Sequence, residues 1–248
     1  TAATWPTKPL RIVVGFPGGS SPDLTARALA EPLSKALGQP VIVENRVGAA
    51  GNIAADFVAK ATDHHTLGLM INGNMTIAKL LNPQLPYDPL QDLKPVSLIG
   101  TSPLVLVAPA HAAGATARDV LANARNAGNT WNYGTPGVGT VGHLGMELLK
   151  SRAGVAPVHV PYSGYPQVAT AMVSGDLQLA LLPPALAMAQ IRAGKLRAIG
   201  MTASVRSTLV PDIPSLSEAG VRDFNLEIWN AVAAPNSMPP AVVARLSA

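Results

Sequence analysis

Short apolar runs alternate with amphipathic segments along most of the chain. The first run, Leu10–Val14, is almost continuously apolar, as a strand buried on both faces requires, and apolar residues at helical spacing follow it. The same alternation continues through Val41–Asn45 and Thr66–Ile71. Because this pattern is typical of parallel strands covered by helices, it predicts an α/β fold with a doubly wound sheet. The loops that follow the strands are then expected at one edge of that sheet.

A second strand–helix alternation follows a turn-rich segment. Residues 96–107 contain two apolar runs separated by Gly100 and Pro103, which suits a strand that crosses from one domain to another. Residues 227–232 are the expected return crossing. We therefore predict two doubly wound lobes, the first formed by residues 1–101 and 229–248 and the second by residues 102–228. Two lobes joined by two crossing segments are expected to hold a ligand in the cleft between them.

The composition reduces the number of function classes that fit the chain. The net charge is +4, but only 13% of the residues are charged, and the Lys and Arg residues are scattered. This gives little support to nucleic-acid binding, whereas a mildly basic field favours the approach of an anionic ligand. The absence of cysteine excludes disulfides and thiolate sites. We expect neither a cofactor nor a nucleic-acid partner.

The turn after the first strand is the first candidate site. Gly18 and Gly19 leave backbone N–H groups uncovered, and Ser20, Ser21 and Asp23 favour the start of a helix. Unpaired N–H groups at a helix N-terminus attract anions, because the helix dipole favours negative charge there. On its own, however, this motif is more typical of an ordinary turn between strand and helix.

A second glycine-rich turn, residues 137–142, matches the dinucleotide motif G-x-G-x-x-G. A nucleotide site also requires an acidic residue about 20 positions later, and residues 158–162 contain none. The better interpretation is a second anion-binding helix N-terminus with Thr135 and Thr140 as donors. A nucleotide-dependent or hydrolytic α/β enzyme that uses this loop is the alternative.

Other candidate chemistry is sparse. The histidines lack metal-ligand spacing, and Ser163 is not part of a nucleophile elbow, so neither a metal site nor a catalytic residue is predicted. We expect His143 to bond a loop carbonyl or to face the cleft. Tyr162 and Ser163 are better suited to hydrogen-bonding a ligand than to catalysis. Trp229, on the return crossing, could line the cleft or pack in the core.

In its order of motifs the whole chain from Trp5 onward resembles the Bug, or TctC-like, receptors of tripartite tricarboxylate transporters. The matching segments are residues 5–14, Phe16-Pro17 with Asp23, residues 38–46 with 51–53, 85–89, 132–134, 158–162, 193–198, and 211–214 with 218–220. The first turn departs from the family pattern, because it reads Gly-Ser-Ser-Pro before Asp23 where members usually carry a run of glycines and a threonine. This turn is therefore the first place where a distinct solute preference is expected.

The resemblance implies a type II periplasmic-binding fold that closes, like a Venus flytrap, on a small carboxylated solute: a dicarboxylate, an amino acid or an aromatic acid. By position, the solute-binding residues of the first lobe are Pro17, Gly18, Gly19, Ser20, Ser21, Asp23, Asn72, Gly73 and Asn74. Those of the second lobe are Gly134, Thr135, Gly139, Thr140, His143, Tyr162, Ser163 and Pro183. Asp23 is expected to cap its own helix or, if the solute is an amino acid, to pair with the amine.

The same resemblance implies a periplasmic, non-enzymatic monomer. Its expected partners are the membrane components of a tripartite tricarboxylate-type transporter, or alternatively a sensor kinase. The start at Thr1 fits a mature chain whose signal peptide has been removed. The C-terminal segment that completes the first lobe in the family is missing from the sequence, so we expect the first lobe to be truncated.

Overall fold

The computed structural model describes residues 4–248 and divides them into two compact units. One unit consists of residues 4–100 and 229–248, and the other of residues 101–228. The expected mature start at Thr1 lies outside the described residues. Within the described part of the chain, no helix is both long enough and apolar enough to cross a membrane.

Strands and helices alternate from the first strand onward. In chain order they are β1 (Leu10–Val14), α1 (Ser21–Leu37), β2 (Val41–Asn45), a 3₁₀ turn (Ala49–Gly51), α2 (Asn52–Ala59), β3 (Thr66–Ile71), a π-helical turn (Gly73–Ile77), α3 (Ala78–Leu81), β4 (Leu93–Pro103), β5 (Val105–Pro109), α4 (Ala117–Ala127), β6 (Asn132–Thr135), α5 (Val141–Ala153), β7 (Val158–Pro161), α6 (Tyr165–Ser174), β8 (Leu179–Leu182), α7 (Pro184–Arg192), β9 (Leu196–Met201), β10 (Glu227–Pro235) and α8 (Pro240–Ser247). The chain leaves the first unit within β4 and returns to it near the start of β10.

The sheet of the first unit has the strand order β2-β1-β3-β10-β4. Strand β1 runs parallel to both β2 and β3, and all six residues of β3 are buried. Parallel strands place their carboxyl ends at the same edge of a sheet. The loops that follow Val14, Asn45 and Ile71 therefore lie side by side, and they contain the candidate residues of this unit.

The sheet of the second unit has the strand order β7-β6-β8-β5-β9, with β6 parallel to β7 and β8. The loops after Thr135, Pro161 and Leu182 thus share one edge. Each sheet also contains an antiparallel strand, β10 in the first and β5 in the second. Two parallel neighbouring strands need a long connection between them, which is usually a helix. Strands β5 and β10 follow a crossing segment instead of such a helix, and they run antiparallel to their neighbours.

Candidate functional site

The loop between β1 and α1 is closed by its own side chains. Ser20 precedes the helix as its N-cap, and its hydroxyl donates to the carbonyl of Pro17 at 2.6 Å. Gly19 has a left-handed φ of +86°, which points its N–H back toward the helix, where it donates to Oδ2 of Asp23 at 2.9 Å. A glycine suits this position because other residues are strained at that φ. The loop amide of Gly19 is consequently occupied within the protein.

Asp23 is almost completely buried and is held by three donors. Besides the Gly19 amide, Nδ2 of Asn45 donates to it at 2.9 Å and Nε of Arg27 at 3.1 Å. Burial by itself raises the pKa of Asp23, but these hydrogen bonds and the Arg27 charge outweigh it and hold the pKa below its usual value. Asp23 is thus an ionised carboxylate whose charge stabilises its own turn.

The loop between β6 and α5 repeats this arrangement in the second unit. Thr140 is the N-cap of α5, and its hydroxyl donates to the carbonyl of Gly137 at 2.7 Å. Gly139 has a φ of +83°, and its N–H donates to Nδ1 of His143 at 3.1 Å. Of the two roles expected for His143, the bond to a loop carbonyl is wrong, because the partner of Nδ1 is a backbone amide. His143 therefore occupies the place in this loop that Asp23 has in the other. The orientation toward the cleft stays a prediction.

The amide donor determines which nitrogen of His143 carries the proton. A neutral histidine that accepts at Nδ1 must be protonated at Nε2, so Nε2 is a donor, and it has no partner among the described residues. The ring stacks on His159 with centroids 4.4 Å apart. Burial lowers the pKa of His143, and burial together with the repulsion that a protonated His143 would exert lowers the pKa of His159 to about 4. Both rings are consequently neutral near pH 7.

His159 in turn holds the strand end that precedes this loop. Its Nε2 lies 2.5 Å from the hydroxyl oxygen of Thr135, which also accepts the N–H of Gly137 at 3.1 Å. The His159 ring also stacks on Tyr133, whose hydroxyl donates to Glu147 at 2.5 Å. Thr135 and Thr140 are both buried, and their hydroxyls are engaged in shaping the loop.

The loop after β7 contributes hydroxyl groups. Tyr162 is half-buried and Ser163 is exposed, and the N–H of Tyr162 bonds to the carbonyl of Thr135 at 2.8 Å. The sequence interpretation missed Tyr165, the first residue of α6, which is buried together with its hydroxyl group. That hydroxyl lies against Gly142, where a Cβ atom would come within 3.0 Å of it. An aromatic residue two positions after Ser163 was the signal available in the sequence.

Two further predicted positions lie at the same edge of the second sheet. Gly134 is in β6, and a Cβ there would lie 2.3 Å from Cδ1 of Leu177, so the close packing favours glycine. Pro183 is buried at the end of β8 and precedes α7.

In the first unit, the predicted asparagines hold neighbouring loops together. Asn74 is buried, and its Nδ2 donates to the carbonyl of Ala50 at 3.1 Å and to Oδ1 of Asn52 at 2.8 Å. The Ala50 backbone is left-handed, with a φ of 55°, a conformation that costs a non-glycine residue about 1 to 2 kcal/mol. The Asn72 side chain accepts the N–H of Trp229 at 2.9 Å. Gly73 begins the π-helical turn between these two asparagines.

The sequence interpretation also missed Asn45, Asn52 and Tyr87. The Tyr87 hydroxyl contacts Oδ1 of Asn52 at 3.1 Å and the carbonyl of Asn74 at 2.8 Å. Asn45 pairs with Val14 in the register of β1 and β2, so it ends next to the first glycine-rich loop. A polar residue that ends a strand adjacent to β1 was a detectable signal for Asn45, whereas the contact of Tyr87 depends on a long surface segment.

The hydrogen-bond donors of the two loops are uncharged. Neither residues 17–23 nor residues 134–143 contain Lys or Arg, so the available donors are helix N-terminal amides, hydroxyls and Nε2 of His143. Helices α1 and α5 have 17 and 13 residues, long enough for a substantial dipole at each N-terminus. Among the described residues, no group of three or more His, Asp or Glu side chains could hold a metal ion.

The chain is similar to known proteins along nearly its whole length. Residues 25–248 match the family model described as the tripartite tricarboxylate transporter family receptor. The chain is 34% identical to BugT of Bordetella pertussis over an alignment of 249 positions, which covers the whole chain and 76% of that protein.

Solved structures of periplasmic solute-binding proteins have the same two-lobe fold. MatC of Rhodopseudomonas palustris with bound malate is 32% identical, with a TM-score of 0.91 over 98% of this chain and 83% of that one. A second R. palustris protein, with adipate, is 31% identical, with a TM-score of 0.93 over 98% and 81%. The periplasmic binding protein BugD is 28% identical, with a TM-score of 0.90 over 98% and 81%.

Proposed function

Because the chain belongs to the tripartite tricarboxylate transporter receptor family, we propose that it captures a small dicarboxylate in the periplasm and delivers it to the membrane components of such a transporter. The family consists of solute-binding receptors, so the chain is a receptor for small carboxylates and not an enzyme. The glycine-rich loop at residues 137–142 is therefore part of a binding protein, and the alternative of a nucleotide-dependent or hydrolytic enzyme is wrong.

The environment of Asp23 is the observation that carries the choice of a dicarboxylate over an amino acid. An amino-acid solute needs a counter-charge for its amine, and Asp23 is the only carboxylate in the two loops. That carboxylate is buried and already accepts from Gly19, Asn45 and Arg27. A solute without an amine leaves this arrangement intact. The malate and adipate in two of the similar structures belong to the same chemical class.

We propose that each lobe binds one end of the solute through its helix N-terminus. In the first lobe the contacts come from Pro17, Gly18 and Ser21, while Gly19, Ser20, Asp23, Asn72, Gly73 and Asn74 shape the loop. In the second lobe His143, Tyr162 and Ser163 contact the solute, while Gly134, Thr135, Gly139, Thr140 and Pro183 position them. Carboxylates suit unpaired amides at helix N-termini. Waters that bridge the remaining distance would let one site accept related acids.

The lobes are expected to close about the two crossing segments when the solute binds, as hinged binding proteins do. The protein then acts as a monomer that presents the closed form to its membrane partner. Signalling to a sensor kinase would use the same solute site and differ in the surface that recognises the partner.

Calorimetric titration tests the proposal on protein that has been unfolded to remove co-purified solute and then refolded. We expect saturable binding of malate or adipate, much weaker binding of the corresponding monoamide, and weak binding of L-aspartate. Tighter binding of L-aspartate than of malate would contradict the dicarboxylate assignment. An absence of binding to every organic acid, together with binding of NAD or ATP, would overturn the proposed function itself.

A further inference from the structure

Three arginines line a cavity of about 130 Å³ in the second unit. Arg118 and Arg125 are seven residues apart on α4, so they lie on the same face of the helix with buried Leu121 between them. Arg152 is in the last turn of α5. It is about 18 Å along that helix from Thr140 in the preceding loop, at 1.5 Å per residue. The cavity is therefore separate from the proposed solute site.

All three arginines are solvent-exposed, and within the described residues none of them is paired with a buried acidic side chain. Arg125 donates to the carbonyl of Ala153 at 3.1 Å, which neutralises no charge. Arg152 lies 3.7 Å from Asp223, whose side chain is 88% exposed. A pair that is exposed to this degree contributes little. The guanidinium of Arg118 has neither a hydrogen-bond nor an ion-pair partner among the described residues.

Arg118 also lies where the helix dipole disfavours a positive charge. It is the second residue of α4, and the positive end of the helix dipole disfavours a cation in the first turn. The neighbouring acid, Asp119, is occupied in a capping box with Thr116. A Cβ at Gly220, where φ is +98°, would lie 2.7 Å from Nη1 of Arg118. The guanidinium thus packs directly on a glycine backbone that forms one wall of the cavity.

We propose that this cavity is a second anion site, which binds a carboxylate through Arg118 and Arg152. Guanidinium groups match carboxylates because their N–H donors form a planar fork. A bound carboxylate would give Arg118 the acceptor that it lacks among the described residues. The carboxylate comes either from a free organic acid or from an Asp or Glu side chain of another protein, and the experiment separates these two sources.

The test follows the Nε–Hε signals of the arginines by NMR during titration with glutarate and, separately, with an acetylated tetraglutamate amide. We expect saturable shifts of Arg118 and Arg152. Arg118→Gln should weaken the binding seen at Arg152 by about two- to fivefold, the size of an exposed ion-pair interaction. The matched control is Arg192→Gln, which removes the same charge from an exposed position on α7 outside the cavity.

Shifts with both probes, or with glutarate alone, assign the site to free organic acids. Shifts with the peptide alone assign it to acidic side chains of a partner protein. The proposal is overturned if neither probe gives a saturable shift, or if Arg192→Gln weakens binding as much as Arg118→Gln does. The second result would mean that only the overall charge of the protein matters.

Discussion

The backbone N–H of Gly139 donates to Nδ1 of His143 across 3.1 Å. This one bond gives the histidine two functions, because it closes the loop on one side and leaves a protonated Nε2 on the other. The equivalent bond in the first lobe ends on Asp23, which has no such second group. The two loops therefore share this hydrogen bond, but Asp23 offers only acceptors whereas His143 also carries a donor.

Two substitutions of His143 separate these functions. Asparagine can accept the Gly139 amide, as Asp23 accepts the Gly19 amide, but it lacks the donor at the Nε2 position. We expect His143→Asn to unfold at nearly the wild-type urea concentration, and His143→Ala to lose about 1 kcal/mol for the missing hydrogen bond. Calorimetry should show weaker malate binding in both variants. If His143→Asn binds malate as tightly as the wild type, Nε2 is not a solute donor.

Stability should decrease as the pH falls from about 6.5 to about 4. Burial and the neighbouring His143 lower the pKa of His159 from 6.5 to about 4. In that range the unfolded chain binds the proton more readily than the folded chain, so the free energy of unfolding rises with pH. The slope is at most about 1.4 kcal/mol per pH unit for this group, and His143 acts in the same direction. Asp23, whose pKa is lowered from 3.8, acts only at more acidic pH.

Urea unfolding at several pH values measures this slope. His159→Gln removes the titrating group that faces His143, Tyr133 and Thr135, with Glu147 and Lys150 nearby, and should flatten the profile between pH 6.5 and 4. His111→Gln, at an exposed position, serves as the matched control and should leave the slope unchanged. An unaltered slope in His159→Gln would show that another group is responsible.

Asp23→Asn should destabilise the first lobe more than Arg27→Gln, which removes the exposed partner of Asp23. The NH₂ of the new amide would face one of the groups that now donate a hydrogen bond to Asp23, and the buried charge would be lost. A cost of about 1 to 3 kcal/mol is expected for hydrogen bonds to a charged group. Arg27→Gln removes only the partner whose side chain is 53% exposed, so a smaller effect is expected. Equal free energies of unfolding for the two variants would contradict the structural role of Asp23.

Gly15→Ala should destabilise the first lobe, because Gly15 packs closely against the backbone of Gly51 in a neighbouring loop. A Cβ at Gly15 would lie 2.4 Å from the Cα of Gly51, and both are backbone positions that cannot rotate away. Overpacking of this kind typically costs about 1 to 3 kcal/mol. Gly100→Ala is the control, since its Cβ would meet no atom within 4 Å. Thermal unfolding should separate the two variants, and a wild-type transition in Gly15→Ala would contradict the close approach.

The local elements of this protein could be predicted from its sequence. The apolar run at Leu10–Val14 becomes a buried strand, and the glycines and hydroxyl residues after it become a turn and a helix N-terminus. These features depend on neighbours within a few positions, so spacing and residue type suffice. The order of motifs was also sufficient to identify the family.

Contacts between distant residues could not be predicted in this way. Nothing near Asp23 in the sequence indicates that Asn45 would help to occupy its carboxylate, and nothing near His143 indicates the stack on His159. These pairs form because parallel strands bring separate loops to one edge of a sheet, at 22 and 16 positions of separation respectively. The sequence by itself determined the two glycine-rich turns, whereas only the tertiary structure decided which of their polar groups are already occupied, because hydrogen-bond partners depend on distance in space.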